Sequence, residues 1–172
     1  MNSPFDGDFE VTQEYKGNNH DGLDLVGLDS PEVHATVSGE IVYAAWENPA
    51  DHNQGFGQYV VIKSDADGLL YHYGHLKEIR CKVGDKVRCT DVIGIMGNTG
   101  YSTGPHTHYC VRRTLSHGSD VDVTAISGIP NKLGVYNDGY AAKKAAASAA
   151  KVIDVILEIE GHKYSGILTE YI

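Results

Sequence analysis

The chain has 172 residues, including 20 glycines, 9 histidines and 3 cysteines, and its formal net charge at pH 7 is −9. This length suits one domain with a real core and a short appendage. The acidic charge, without any basic stripe, argues against nucleic-acid binding. No apolar run approaches the length of a membrane-spanning helix, and three cysteines favour reduced thiols over a disulfide framework.

The first segment with site chemistry is Asn18–Leu25, which is polar and poor in helix formers. His20 and Asp24 in it can reach one metal ion if Gly22 lets the chain turn between them. A catalytic zinc takes three protein ligands of the nitrogen and oxygen type and keeps a fourth position open. The alternative is a polar turn that leads into a strand over Leu23–Val26.

Further along, short apolar runs separated by glycine-rich turns predict a mainly β chain. The candidate strands are Gly39–Ala45, Gln58–Lys63, Leu69–Tyr73, Asp91–Met96 and His106–Arg112.

A third histidine segment is Leu69–Leu76, where His75 follows Gly74 at the end of an aromatic run. His72 lies three residues earlier, so on a regular strand it would face the side opposite to His75. Only one of the two can then join a common site, and a buried structural histidine is the alternative for either.

The pair His106 and His108 is the strongest local signal. Side chains alternate along a strand with period two, so both imidazoles share a face if this segment is extended. The flanking residues Tyr109 and Val111 favour a strand. Such a pair suits one metal, or one ligand beside an acid or base, whereas two surface histidines are the alternative unless the chain supplies a third ligand.

The last residues, 136–172, differ from the rest. Tyr140–Lys151 is rich in alanine and lysine, which predicts a short helix or a partly helical linker. From Ile153 the apolar residues alternate with period two, and Glu160–His162 offers a turn before a second extended run, so a β-hairpin is expected. An isolated hairpin is marginally stable, so we expect residues 136–172 to serve oligomerisation or attachment.

Taken in order, these segments resemble the lysostaphin-type zinc endopeptidases, also called LytM-like peptidoglycan hydrolases. The matching motifs are His20-x-x-x-Asp24, Val37–Ala44, Gly55–Lys63, Tyr73–Leu76, Val83–Val87, Ile93–Gly100 and Ser102–His108. The resemblance runs from Asp6 to Asn131 and implies a peptidase domain over residues 1–135. Together with the strand pattern it predicts an antiparallel sheet with an open groove, walled by the loops Glu47–Gly57 and Gly97–Pro105.

The resemblance also implies a site. His20, Asp24 and His108 would bind Zn²⁺, and His75 and His106 would stand near the metal-bound water. One imidazole would act as general base and the other would stabilise the oxyanion. We assign His106 as the base and His75 as the stabiliser, although the two roles are exchangeable. The implied reaction is hydrolysis of the peptide part of bacterial peptidoglycan.

Cys110 departs from the family pattern, which commonly has a glutamate at this position. By strand alternation Cys110 shares a face with His106 and His108. We expect a small buried residue that plays no chemical part. The alternative is a thiolate that competes for the metal, and the missing carboxylate could also weaken the orientation of a ligand.

The sequence is also compatible with two other functions. A non-catalytic protein could use the same groove to bind wall peptides or to regulate an amidase, and a phage tail component could hold a purely structural zinc. The first residues do not form a secretory signal peptide. We therefore expect a phage or prophage product that is made in the cytoplasm and acts on the wall after phage-type release or as part of a virion.

Overall fold

A computed structural model of the chain describes residues 3–137, 153–159 and 162–168. The chain divides into two compact units, Met1–Tyr140 and Ala141–Ile172. Among the described residues, no helix has the length and apolarity that crossing a membrane requires.

The first unit is built on one antiparallel β-sheet. Its strands are β1 (Asp8–Gln13), β2 (Gly22–Gly27), β3 (Glu32–His34), β4 (Gly39–Trp46), β5 (Gln58–Ser64), β6 (Leu70–Ile79), β7 (Lys86–Val87), β8 (Val92–Met96), β9 (Thr107–Arg112), β10 (Asp120–Val121) and β11 (Gly134–Asn137). A short helix, α1, spans Val123–Ser127. The main strand order is β11-β1-β2-β9-β6-β5-β4-β7, while β10 pairs with β9 and β8 joins β3 to β6. The mainly β, antiparallel class predicted from the sequence is confirmed.

The two faces of the sheet have different chemistry. Leu23 of β2 lies opposite Tyr109 of β9, which in turn lies opposite Tyr73 of β6, and all three side chains are buried in the main hydrophobic core. Their neighbours along each strand point to the other face. On that face Asp24 lies opposite His108, and His72 lies opposite Cys110. The three central strands thus bury apolar residues on one side and carry titratable residues on the other.

The expectation that His72 and His75 face opposite sides of one strand was wrong. His72 lies opposite Cys110 on the titratable face, and the ring of His75 lies 6.1 Å from that of His108. The reason is a break in the alternation, because His75 has a φ of 61°. This left-handed conformation is uncommon for a residue with a side chain, and it turns His75 back towards the same face.

The described part of the second unit is a two-stranded antiparallel sheet of β12 (Ile153–Ile159) and β13 (His162–Leu168). Ile153 pairs with Leu168 and Ile159 with His162. The predicted hairpin is therefore present. The predicted helix or linker over Tyr140–Lys151 lies outside the described residues.

Candidate metal centre and active site

The pairing of β2 with β9 brings the predicted ligands from distant parts of the sequence together. Asp24 of β2 is the register partner of His108 of β9, and its Oδ1 atom lies 2.9 Å from Nδ1 of His108. His20 precedes β2 in a turn closed by a bridge to Gly17. Its Nδ1–H donates to the carbonyl oxygen of Glu14 at 2.7 Å, which leaves Nε2 at 3.1 Å from the same Oδ1 of Asp24.

His20, Asp24 and His108 therefore form a set of two nitrogens and one oxygen, with ligand atoms within 4.8 Å of one another. Tetrahedral zinc with bonds of about 2 Å sets its ligand atoms about 3.3 Å apart, close to the 2.9 and 3.1 Å seen here. His20 uses its Nδ1–H for the hydrogen bond to Glu14. In the neutral ring the other nitrogen, Nε2, therefore has a lone pair, and it is this nitrogen that faces the carboxylate of Asp24. A nitrogen lone pair and a carboxylate oxygen repel each other unless a cation or a proton lies between the two atoms. The residues present therefore fit a zinc ion.

Charge in the site supports the same conclusion. Burial alone would raise the pKa of Asp24, but hydrogen bonds from His108 and His20 outweigh it and hold the pKa well below its usual range. Burial alone would lower the pKa of His108, but its bonds to Asp21 and Asp24 raise that pKa well above 6.5. The carboxylates thus hold a proton on His108, and a bound cation would supply the same positive charge beside them.

Gly22 is needed for close approach rather than for a turn. A Cβ atom at this position would lie 2.6 Å from Nε2 of His108 and 2.6 Å from the carbonyl oxygen of Tyr109. Since real side chains do not come this close, only glycine lets β2 pass the imidazole of His108 at this register.

The other two predicted histidines, His75 and His106, have ring centroids 4.6 Å apart beside the ligand set. The Nδ1–H of His75 donates to the carbonyl oxygen of Thr99 at 2.7 Å, and Nδ1–H of His106 donates to that of Gly104 at 2.8 Å. Each ring therefore keeps Nε2 for the cleft. Burial lowers the pKa of His75 to about 4, so this ring is neutral near pH 7.

These side chains line one cleft of about 380 Å³. Its walls include Gly55 and Phe56 from one loop and Tyr101, Ser102 and Thr103 from another. The two loops are joined where the N–H of Tyr101 donates to the carbonyl oxygen of Gly55 at 2.9 Å. The loops expected from the sequence to wall the groove do so.

Cys110 lies on the expected face and is fully buried in an apolar cluster with Phe56, Tyr59, Val61 and Leu70. It is not a member of the group formed by His20, Asp24 and His108. Its thiol instead comes within 4.8 Å of ligand atoms of Asp21 and His108, in a second group. This position agrees with a small buried residue below the site.

Several residues of the cleft were given no role from the sequence, among them Asp21, Arg112 and His117. Arg112 was open to prediction, because strand alternation puts it on the face of His108 and Cys110. Its guanidinium lies over the ring of Phe56, 4.9 Å from the centroid. His117 comes from a loop, where no periodicity indicates the direction of a side chain.

The chain is similar in sequence to known peptidases. The model of peptidase family M23 matches residues 18–123. Lysostaphin from Staphylococcus simulans is 39% identical over 93 residues, which are 54% of this chain and 18% of that protein. The chain thus spans about a fifth of the length of this curated relative.

Solved structures give the same picture. The catalytic domain of the prophage-encoded M23 protein EnpA from Enterococcus faecalis, solved as a point mutant, superimposes with a TM-score of 0.57 at 32% identity, over 67% of this chain and 88% of that one. A zinc-containing peptidase from Vibrio cholerae gives a TM-score of 0.58 at 26% identity, over 71% of this chain and 38% of that one. With the family model matching more than half of the chain, the protein belongs to peptidase family M23.

Proposed function

We propose that this chain is a zinc-dependent endopeptidase that hydrolyses peptide bonds in bacterial peptidoglycan. The observation that carries the proposal is the convergence of His20, Asp24 and His108 on one point, beside two imidazoles whose Nε2 atoms are left for the cleft. Membership of family M23 and the likeness to lysostaphin support it.

His20, Asp24 and His108 would hold the metal. A zinc ion held there would lower the pKa of a water molecule and polarise the carbonyl of the scissile bond. The protein's part is to keep this position buried on the sheet side and open on the cleft side, so that the substrate carbonyl can approach.

His75 and His106 would move the protons. With Nδ1–H committed to Thr99, neutral His75 offers Nε2 as an acceptor, which suits the removal of a proton from the attacking water. A nearby dication would keep His75 neutral, because it disfavours a second positive charge. His106, whose Nε2 also faces the cleft and lies 3.5 Å from Oδ1 of Asp24, would be the stabiliser of the oxyanion. This geometry favours the exchanged roles, with His75 as the base.

The cleft would bind the peptide. Residues of both loops line it, and one of them, Tyr101, is 85% exposed. An exposed aromatic ring beside the histidines offers a platform for an extended substrate.

The biological setting is part of the proposal. The likeness to a prophage-encoded M23 protein supports a phage or prophage association, with action on the wall after phage-type release or within a virion. We also propose that residues 136–172 serve attachment or homo-oligomerisation.

The test is the release of amino groups from purified peptidoglycan. We expect release by the zinc-loaded protein, its loss after chelation and its return with added Zn²⁺. His108→Ala, shown to be folded, should release none. His52→Ala is the matched control, because His52 is exposed and stacks on Trp46 rather than lining the cleft. Wall binding without release of amino groups would favour the non-catalytic alternative, and release by folded His108→Ala would refute the metal mechanism.

A further inference from the structure

We propose that Asp21 is a positioning residue, which fixes the imidazole of His108 with Nδ1 towards Asp24 and is itself fixed by Arg112. The inference rests on the proposed zinc site and adds two residues to it. Neither of them belongs to the ligand set or to the histidine pair of the cleft.

Both ring nitrogens of His108 face carboxylates. Nδ1 lies 2.9 Å from Oδ1 of Asp24, and Nε2 lies 3.1 Å from Oδ1 of Asp21. The two contacts lie on opposite sides of the ring. If Asp21 accepts the Nε2–H, the lone pair of His108 is on Nδ1, where the ligand set converges. A carboxylate on the far nitrogen of a ligating histidine sets both the tautomer and the ring orientation.

Asp21 is itself held in place by Arg112. Its other oxygen, Oδ2, accepts a hydrogen bond from Nε of Arg112 at 2.9 Å and another from Nη2 of the same side chain. The two oxygens therefore have separate tasks, one towards Arg112 and one towards His108. A planar guanidinium with two N–H groups on one partner fixes a direction that a flexible ammonium does not.

Arg112 is fixed by its own surroundings. Its side chain is only 1% exposed, and its guanidinium packs over the ring of Phe56. Its Nη2 also lies 3.0 Å from Nδ1 of His117. Arg112 is two residues beyond Cys110 on β9, so the strand that carries His108 also carries the anchor of its partner.

The geometry decides between positioning and ligation for Asp21. Asp21, His108 and Cys110 do form a compact group. However, a cation in that group would lie beside the guanidinium that already bonds to Asp21, and like charges in a buried place repel strongly. With Oδ1 on His108 and Oδ2 on Arg112, both carboxylate oxygens of Asp21 have partners without this conflict.

The experiment measures the affinity of the metal-free protein for Zn²⁺ by competition with a chelator of known affinity. We expect Asp21→Ala to raise the dissociation constant about 10- to 100-fold, the usual effect of losing such a partner. Arg112→Lys keeps the positive charge but loses the two parallel N–H donors of the guanidinium. It should also raise the dissociation constant, but less than Asp21→Ala does. Asp65→Ala is the control, because it removes an exposed carboxylate that lies outside the cleft.

Two further readouts separate positioning from a structural role. Thermal unfolding of the metal-free variants checks that the fold persists. In the zinc-loaded protein, proton NMR should detect a slowly exchanging Nε2–H of His108, which Asp21→Ala loses while the Nδ1–H of His20, donated to a backbone carbonyl, stays.

Unchanged zinc affinity in folded Asp21→Ala would overturn the inference, and so would a retained Nε2–H signal. If Asp21→Ala fails to fold, wild-type affinity in Arg112→Lys would overturn the fixing role of Arg112. If the wild-type protein binds zinc but releases no amino groups from peptidoglycan, the proposed function fails and the inference is still decided by the affinities.

Discussion

The imidazole of His75 is joined to Thr99 by a hydrogen bond of 2.7 Å from Nδ1 to the carbonyl oxygen. The backbone of His75 is fixed as well, since its N–H donates to the carbonyl oxygen of Phe56 at 2.7 Å. One histidine is thus held by both walls of the cleft, in a left-handed conformation that would otherwise be unfavourable. Two loops, rather than β6 alone, determine where its Nε2 lies.

His75→Ala should separate catalysis from metal binding. We expect hydrolysis of peptidoglycan to fall by about 10²- to 10⁴-fold, the usual contribution of a positioned acid or base. Zinc content should stay at the wild-type level, because His75 is not in the group of His20, Asp24 and His108. Amino-group release and metal analysis of the same preparation check this. A loss of zinc along with activity would make His75 a ligand instead.

Gly22→Ala should destabilise the protein through a clash at the metal centre. The new methyl group would meet a backbone oxygen and a ring nitrogen at 2.6 Å, so β2 and β9 must separate. We expect a loss of about 1–3 kcal/mol in the free energy of unfolding, as for other overpacked sites, together with weaker zinc binding. Urea unfolding of the metal-free protein measures the first effect.

The control for this substitution is Gly104→Ala, where an added Cβ meets no atom within 4 Å. We expect a change below about 0.5 kcal/mol there, as at most surface positions. Equal stability of the two variants would mean that β2 passes His108 less closely than the structure has it.

His72 should make stability depend on pH. Its ring is 1% exposed, neither nitrogen has a hydrogen-bond partner among the described residues, and burial, with the charge of Arg112, lowers its pKa to about 3. The unfolded chain takes up a proton near pH 6.5, and the folded protein does so only near pH 3. Stability is therefore lost as the pH falls through this window.

His72→Leu tests this sign. Between pH 7.5 and pH 5, the variant should gain about 2 kcal/mol relative to the wild type, because it has no proton to exclude. Denaturant unfolding of both metal-free proteins at the two pH values gives the difference, and it cancels the opposite contribution of His108. A difference that does not change with pH would place the His72 ring in contact with water.

Cys110→Ala should leave the metal in place. The thiol is buried in an apolar cluster and also contacts the imidazole of His108, and its removal leaves a small cavity that costs about 1 kcal/mol. Zinc affinity should stay within about twofold of the wild type, since the ligand set does not include the thiol. A large fall in affinity would instead support the sequence-based alternative of a thiolate ligand.

Much of the fold and of the candidate site could be predicted from the sequence, because it depends on the alternation of side chains along single strands. The alternation around His106 and His108 determines their shared face, and the glycine-bounded apolar runs locate strands such as Gln58–Ser64. The ligand candidates His20 and Asp24 came from spacing together with family resemblance. Their meeting with His108 agrees with both.

What could not be predicted depends on which strands become neighbours and on single backbone conformations. Asp21 gains its role only because β2 pairs with β9, so that it reaches Arg112, 91 residues further along the chain. The positive φ of His75 breaks the strand alternation, which would otherwise put His75 and His72 on opposite faces of the sheet. No pattern of residue types predicts the pairing of β2 with β9 or the positive φ of His75.

The register of β2 against β9 affects how the sheet comes apart when the protein unfolds locally. In the strand order, β11, β1 and β2 meet the remaining strands at the β2–β9 ladder, and Asp24 and His108, 84 residues apart in sequence, face each other across it. An ion shared by them would act as a cross-link between two segments that separate on unfolding. Amide hydrogen exchange in this outer group of strands should then report metal occupancy, with the centre of the sheet little changed.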